Sequence, residues 1–211
     1  GEEHYLDFGE ETYTAWTSTN PEYETEILRF GYTSMTTPNS VFDYDMVSKI
    51  KTLLKQQEVV GGYNAEEYFG ERKFVVARDG ARVPVSLVYK KSLKHDTGNP
   101  LLLYGYGSYG NSLDPYFSST RLSLLDRGFV FAIAHIRGGE EMGRYWYEDG
   151  RQMQKKNTFT DFISCAEYLI EQNYTDSNNL FGMCGSAGGL LMVAVVNMNP
   201  ELCKGIVAKV A

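Results

Sequence analysis

Short runs of alternating apolar and polar residues characterise the first part of the chain. The runs cover residues 12–16, 26–35, 42–46 and 50–55. A period of two is typical of β-strands with one buried face, and short strands joined by tight turns are typical of an antiparallel meander. Residues 1–58 are therefore predicted to form antiparallel strands, such as those of a propeller blade or of a sandwich edge.

The alternating pattern stops and then resumes as a single hairpin. A more polar stretch that contains two adjacent glycines, residues 59–70, is predicted to be a linker. Beyond it, alternating runs at 72–78 and 82–89 flank the dipeptide Asp79-Gly80. Asp-Gly between two such runs is a strong signal for a tight β-hairpin.

From residue 100 onward, apolar runs alternate with stretches of helical periodicity. The apolar runs are 101–103, 129–136, 180–184 and 206–210. Strands without polar alternation are buried on both faces, as in parallel sheets, and the stretches between them predict crossover helices. Residues 71–211 are therefore predicted to form an α/β domain.

Boundary signals accompany the predicted helices. Ser118 or Ser119 is expected to cap the first helix, and Thr158 with Asp161 has the spacing of a capping box before the long helix. Residues 190–196 are apolar at every position, so this helix is expected to be buried on all sides.

Composition narrows the function classes. The 211 residues include 27 acidic and 20 basic side chains, a formal net charge of −7, which argues against nucleic-acid binding and suits cationic substrates. No apolar stretch is long enough to span a membrane, so no membrane partner is expected. Cys165, Cys184 and Cys203 lie in or beside apolar segments without metal-ligand spacing. We expect reduced thiols, no metal or other cofactor, and a cytoplasmic location.

The segment Cys184-Gly185-Ser186-Ala187-Gly188-Gly189 lies between a predicted strand and a predicted helix. A serine among small residues at such a junction sits on a sharp turn that exposes its hydroxyl, and the helix N-terminus directs N–H groups toward the same place. Ser186 is thus a candidate nucleophile, and the N–H of Ala187 a candidate oxyanion donor. A plain Gly/Ser-rich turn is the alternative, and Cys184 stands where the usual G-x-S-x-G motif begins with glycine.

The other parts of an acyl-transfer site are less complete. A second oxyanion donor usually follows an earlier strand, and here that loop reads Tyr-Gly-Tyr-Gly-Ser-Tyr-Gly at 104–110, whose tyrosines either offer a hydroxyl or merely pack. The base usually follows the nucleophile, but no histidine follows Ser186. His135 is either a base or a structural histidine, and the triad Asp and His are expected beyond Ala211.

For the charged residues near these segments, the sequence favours pairing or solvation over catalysis. Arg137 ends a predicted strand and is expected either to bind a ligand carboxylate or to pair with a nearby acid. Glu140 and Glu141 are expected to be solvated, as are Lys155 and Lys156.

Several long segments together resemble the prolyl oligopeptidase family of serine peptidases over essentially the whole chain. They are Tyr-Gly-Tyr-Gly-Ser-Tyr-Gly at 104–110, Arg-Leu-Ser-Leu-Leu-Asp-Arg-Gly at 121–128, His-Ile-Arg-Gly-Gly at 135–139, Gly-Ser-Ala-Gly-Gly at 185–189, and shorter stretches at 31–34, 37–40, 54–59, 146–150 and 156–159. The resemblance implies the last propeller blade in 1–58, followed in 71–211 by the N-terminal part of an α/β-hydrolase domain. It also implies hydrolysis of short peptides after Arg or Lys.

The resemblance implies roles for individual residues as well. Ser186 aligns with the family nucleophile, Tyr106 with the oxyanion hydroxyl and Ala187 with the backbone donor. Asp114 matches one of two acids that help to attract basic residues, and Tyr116 stands at the position of the second acid. Basic preference at that subsite is therefore expected to be weaker.

Two alternatives stay open. An acylaminoacyl-peptidase or an esterase of the same fold would share the serine turn but act on a different substrate. A non-catalytic fragment whose hydrolase portion lacks the triad Asp and His would bind without turnover, and the chain alone is expected to be inactive.

Overall fold

The computed structural model describes residues 3–209, and its first sheet is a four-stranded antiparallel meander. The strands are β1 (Tyr13–Thr17), β2 (Ile27–Ser34), β3 (Ser40–Asp45) and β4 (Lys51–Gln56), paired in that order. Phe30, Tyr32 and Tyr44 are buried together on one face of this sheet. The antiparallel strands that the alternating pattern predicts are therefore confirmed.

The second sheet is mixed and consists of the six strands in the rest of the described chain. Its strands are β5 (Tyr68–Val76), β6 (Arg82–Lys90), β7 (Leu101–Tyr104), β8 (Val130–Ala134), β9 (Leu180–Gly185) and β10 (Gly205–Lys209). Their spatial order is β10-β9-β7-β8-β6-β5, with β8, β7, β9 and β10 parallel to their neighbours in this group. The predicted α/β pattern is confirmed, and Val210, predicted to end the last strand, lies outside the described residues.

The hairpin between β5 and β6 forms where the dipeptide Asp79-Gly80 predicts it. The two strands are antiparallel, with Val76 opposite Arg82, and Gly80 has a φ of 89° that suits glycine. Strand β5 begins at Tyr68, so the end of the stretch predicted as a linker belongs to the sheet. The division of the chain into domains stays a prediction.

The helices are α1 (Ser119–Leu125), α2 (Arg144–Glu148), α3 (Lys155–Glu171) and α4 (Gly188–Met198). Ser118 is the N-cap residue of α1, although its hydroxyl makes no capping hydrogen bond. Helix α3 begins earlier than the capping box predicts, so Thr158 and Asp161 lie inside it and that prediction is wrong. Both side chains instead bind the loop after β8, at Arg137.

The main core lies between the mixed sheet and helices α3 and α4. Phe162 of α3 and Leu191 of α4 are buried there with Leu103 of β7. Helix α4 is not buried on all sides, since Leu190 is 57% and Val193 52% exposed. The expectation from its apolar sequence is wrong for this chain, because the sheet and helix α3 cover only the face that carries Leu191, Met192 and Val195. No helix within residues 3–209 has both the length and the apolar character needed to cross a bilayer.

Candidate active site

The turn between β9 and α4 holds Ser186 at the carboxyl edge of the parallel strands. Ser186 has a φ of 54°, a left-handed conformation that costs a non-glycine residue about 1–2 kcal/mol. Its N–H donates to the carbonyl oxygen of Lys209 at 2.8 Å, and its carbonyl oxygen accepts from the N–H of Gly189 at 2.8 Å. The side chain is exposed. Backbone bonds thus hold a strained turn whose hydroxyl faces solvent just before the N-terminus of α4.

Cys184 and Gly188 fit together beneath this turn. The Cys184 thiol is fully buried, and a Cβ atom at residue 188 would overlap its Sγ. Burial raises the pKa of the Cys184 thiol to about 11, so it stays protonated near neutral pH. The protonated thiol donates to the carbonyl oxygen of Gly105, in the loop after β7. Cysteine at the first motif position is therefore tolerated because residue 188 has no side chain.

The loop after β7 brings Tyr106 to the same edge of the sheet. Its half-buried ring borders the start of α4, where Cδ2 would lie 3.6 Å from a Cβ atom at Gly188. The next residue, Gly107, has a φ of 64°, and its carbonyl packs so closely against Gly138 that residue 138 has no room for a Cβ atom. The structure therefore places the Tyr106 loop beside the Ser186 turn.

Lys155 binds this loop, contrary to the expectation that it is solvated. Its Nζ donates to the carbonyl oxygen of Gly107 and to Ser108 Oγ, the latter at 2.9 Å. The side chain is half-buried, and burial lowers the pKa of Lys155 below its usual value. Lys156, the next residue, is exposed as predicted. The sequence shows no local signal that separates the two lysines.

A cavity of about 400 Å³ opens next to the turn, between α1 and the sheet. Its wall includes Asp114, Tyr116 and Arg121, together with Cys184 and Gly185. Asp114 is exposed, and among residues 3–209 no basic nitrogen lies within 4.0 Å of its carboxylate. A cationic group in the cavity would therefore meet a free carboxylate.

Arg121, which the sequence does not single out, is a buried cation in the same cavity wall. Its guanidinium lies 4.2 Å from the centre of the Phe131 ring and donates to the carbonyl oxygen of Tyr116 at 2.9 Å. Burial lowers the pKa of Arg121 to about 10. The bond to Tyr116 connects the loop that carries Asp114 to helix α1.

His135 is fully buried, and its contacts favour a structural role. Its Nε2 lies 2.8 Å from Ser86 Oγ, and its Nδ1 lies 3.8 Å from Glu141 Oε1, too far for a hydrogen bond. Burial lowers the pKa of His135 below its usual value of 6.5. Within the described part of the chain, no histidine is hydrogen-bonded to Ser186.

Glu141 is not solvated, so that expectation is wrong. Only 8% of its side chain is exposed, and its Oε1 accepts from the N–H of Leu113 at 2.9 Å. The carboxylate therefore fixes the loop that leads to Asp114. Glu140 lies at the surface and pairs with Arg144 at 2.8 Å.

Arg137 pairs with acids of the chain, the second of its two predicted roles. Its guanidinium binds the buried Asp161 at 2.6 Å and Asp79 at 2.6 Å. The hydrogen bond from Arg137 lowers the pKa of Asp79. Across residues 3–209, no three His, Cys, Asp or Glu side chains come close enough together to hold a metal ion.

Family models match both parts of the chain. The model described as "Prolyl oligopeptidase family" matches residues 115–211. The model described as "Prolyl oligopeptidase, N-terminal beta-propeller domain" matches residues 2–57.

Named relatives are similar over the whole chain. Dipeptidyl aminopeptidase BI from Pseudoxanthomonas mexicana is 50% identical over 211 residues, which is 100% of this chain and 29% of the relative. Protease 2 from Moraxella lacunata is 42% identical over 210 residues, which is 100% of this chain and 30% of the relative.

A solved structure has the same fold. Oligopeptidase B from Trypanosoma brucei, in a closed form with covalently bound antipain, superposes with a TM-score of 0.86 at 45% identity. The match covers 96% of this chain and 29% of that one, so the chain spans less than a third of these relatives. Strands β1 to β4 lie within the residues that the propeller model matches, and strands β8 and β9 lie within those that the family model matches. The chain belongs to the prolyl oligopeptidase family.

Proposed function

We propose that the chain is part of a serine oligopeptidase that hydrolyses short peptides after Arg or Lys, as its resemblance to oligopeptidase B implies. The observation that carries this proposal is the exposed Ser186 on a strained turn before α4, beside the Tyr106 loop. The covalently bound antipain in the similar T. brucei oligopeptidase B supports covalent chemistry as the type of reaction.

In the proposed reaction, Ser186 Oγ attacks the scissile carbonyl carbon while a base takes its proton. The carbonyl oxygen becomes an oxyanion, which accepts hydrogen bonds from the Ala187 N–H and the Tyr106 hydroxyl. The tetrahedral intermediate expels the amine, which takes the proton from the base. Water then attacks the acyl-enzyme by the same route in reverse and regenerates the serine hydroxyl.

We place the base and its orienting acid on a His and an Asp outside residues 1–211. His135 is a poor candidate for the base because it is buried against Ser86 and Glu141. His4 binds Tyr44, in the first sheet, at 2.7 Å. His95 is exposed on the loop between β6 and β7, which leads into the opposite end of the parallel strands.

Asp114 supports a preference for cationic peptides. Its carboxylate is exposed at the cavity beside Ser186 and has no basic partner among the described residues. The net charge of −7 acts in the same direction over longer distances. Tyr116 is exposed at the position where the resemblance places a second acid, so we propose a weaker preference at this subsite.

A second candidate is the release of dipeptides from peptide N-termini. It is favoured by the 50% identity to a protein named dipeptidyl aminopeptidase BI. It uses the same nucleophile but requires a free α-amino group on the substrate. We also propose a cytoplasmic location, which the three free cysteines support.

The test uses the complete protein that contains this chain. We expect it to hydrolyse a blocked arginyl substrate, and Ser186→Ala to lower kcat by at least about a thousandfold. Ser92→Ala is the matched control, because it removes an exposed hydroxyl that is distant from Ser186 in the sequence. A kcat of Ser186→Ala close to that of the control would refute the proposed nucleophile.

The choice of substrate separates the two candidates. The oligopeptidase hypothesis predicts that a blocked arginyl peptide is cleaved better than its blocked alanyl counterpart. Cleavage only of peptides with a free N-terminus, two residues at a time, would select the dipeptidyl activity instead. Cleavage of simple esters without cleavage of peptides would identify an esterase.

A further inference from the structure

Tyr106 lies between two glycines whose carbonyl oxygens are both bound by side chains from elsewhere in the fold. The carbonyl of Gly105 accepts from the Cys184 thiol, at the end of β9. The carbonyl of Gly107 accepts from Lys155 Nζ, at the start of α3. The peptide units on either side of the tyrosine are therefore fixed independently.

The Cys184 contact connects the loop directly to the serine turn. Cys184 precedes Ser186 by two residues, and the N–H of Gly105 also donates to the carbonyl oxygen of Met183 at 3.4 Å. Glycine at residue 184 would make the backbone bond but could not donate to Gly105. The departure from the G-x-S-x-G motif thus adds a bond between the two parts of the site.

The Lys155 contact fixes the other side of the tyrosine. Its Nζ also binds Ser108 Oγ, at 2.9 Å, so one ammonium group binds two successive residues. Among residues 3–209, no carboxylate oxygen lies within 4.0 Å of this ammonium. A half-buried lysine normally pairs with an acid, because an ammonium group in a partly apolar site needs compensation. Here loop oxygens supply that compensation.

We propose that Cys184 and Lys155 are positioning residues that hold the Tyr106 hydroxyl where the oxyanion forms. This inference rests on the proposed function, because only acyl transfer gives that hydroxyl a task. A donor stabilises the oxyanion only within hydrogen-bond distance of it, and a misplacement of about 1 Å costs up to roughly a hundredfold in rate. The bonds act on the loop backbone and do not touch substrate.

The kinetic test is a mutant cycle in the complete protein. We expect K155M and C184A each to lower kcat about tenfold with little change in KM, because the hydroxyl contacts the transition state. In a Tyr106→Phe background, the same substitutions should lower kcat less than about twofold, since the hydroxyl they position is gone. K156M, which changes the neighbouring exposed lysine, is the matched control.

A second set of variants guards against simple loss of folding. C184S keeps a donor toward Gly105 and should retain near-normal kcat, whereas C184G keeps the usual motif residue and should behave like C184A. In the complete protein labelled with 3-fluorotyrosine, the fluorine signal of Tyr106 is assigned by its loss in Tyr106→Phe. That signal should shift or broaden in K155M but not in K156M.

The outcomes separate this inference from the proposed function. If K155M and C184A lower kcat equally with and without the Tyr106 hydroxyl, the positioning role is wrong even though Ser186→Ala is inactive. An unchanged Tyr106 fluorine signal in K155M would also overturn it. If Ser186→Ala keeps full activity, the proposed function fails, whatever the fluorine signal shows.

Discussion

Two reversals of the chain lie at the carboxyl edge of the mixed sheet, and they differ in whether their polar side chains are paired inside the protein or exposed to solvent. The reversal after β8, residues 135–143, buries Arg137 and pairs it with two aspartates. The reversal after β9, residues 184–189, leaves the hydroxyl of Ser186 exposed on a strained backbone. Both turns follow parallel strands, so the fold alone does not determine the difference.

The reversal after β8 is held by many partners. Three donors of Arg137, its backbone N–H, Nε and Nη2, bind the carboxylate of Asp161. Asp79 accepts two more bonds from the same guanidinium. With so many bonds made inside the protein, Arg137 has little capacity left for substrate. Its role is architectural.

In the reversal after β9, the backbone is restrained but the polar side chain is not. Its backbone is restrained by Lys209 and Gly189, and Cys184 fills the space above Gly188, but no protein group binds the Ser186 hydroxyl among the described residues. The left-handed backbone of Ser186 costs stability, and such strain concentrates at functional sites. The comparison therefore separates a turn that stabilises the fold from a turn suited to chemistry.

The largest expected effect comes from breaking the buried ion pair. Asp161→Asn should lower the free energy of unfolding by about 3 kcal/mol, because Arg137 keeps only Asp79 as a charged partner. Chemical denaturation measures the change, with Asp96→Asn at an exposed position as the control. A loss no greater than that of the control would show that the reversal after β8 does not depend on this pair.

The next effect tests the close packing of the serine turn. Gly188→Ala should lower the free energy of unfolding by about 2 kcal/mol, because the added Cβ overlaps Cys184 Sγ. Adding Cys184→Gly to the same chain should recover most of this loss, since the sulfur is removed. Denaturation of the single and double variants measures the coupling. Simple additivity of the two changes would contradict the proposed fit.

A smaller effect measures the backbone strain at Ser186. Ser186→Gly should be about 1 kcal/mol more stable than Ser186→Ala, because glycine adopts a φ of 54° without steric cost. Both variants lack the hydroxyl, so both should be inactive. Equal stability of the two variants, measured by thermal unfolding, would mean that the turn carries no strain.

The smallest expected effect is a pH dependence of the folding stability, which His135 in the reversal after β8 causes. The pKa of buried His135 is lowered from 6.5, so below pH 6.5 the unfolded chain binds a proton that the folded chain resists. Stability should therefore fall on acidification, by up to about 1 kcal/mol per pH unit. His135→Gln should flatten the profile between pH 6.5 and 5.5, and His95→Gln at an exposed position should not. Parallel profiles for wild type and His135→Gln would refute this assignment.

Local sequence patterns predict the secondary structure well because each depends on neighbouring residues. The Asp79-Gly80 hairpin and the turn at Ser186 form where short motifs indicate. The capping box fails because Thr158 Oγ1 donates to the carbonyl of Arg137, 21 residues away, at 2.8 Å. A tertiary partner there replaces the local one.

Site residues divide in the same way. The motif around Ser186 and Ala187 predicts them as candidate site residues, and the glycine-rich loop together with the family resemblance predicts Tyr106. The sequence wrongly predicts a solvated Lys155, because its partner Gly107 is 48 residues away and no local pattern indicates the contact. The same prediction fails for Glu141, whose partner Leu113 is 28 residues away.

By itself the sequence determined the order of strands and helices and the chemical type of the exposed serine turn, because periodicity and turn residues act over a few positions. Only the tertiary structure decided which charges are buried and which of two adjacent lysines binds the Tyr106 loop. It also decided that a cysteine fits where glycine is usual. Those outcomes depend on groups that are distant in sequence. A buried polar group needs a hydrogen-bond partner, and a buried position accepts only a side chain that fits the space.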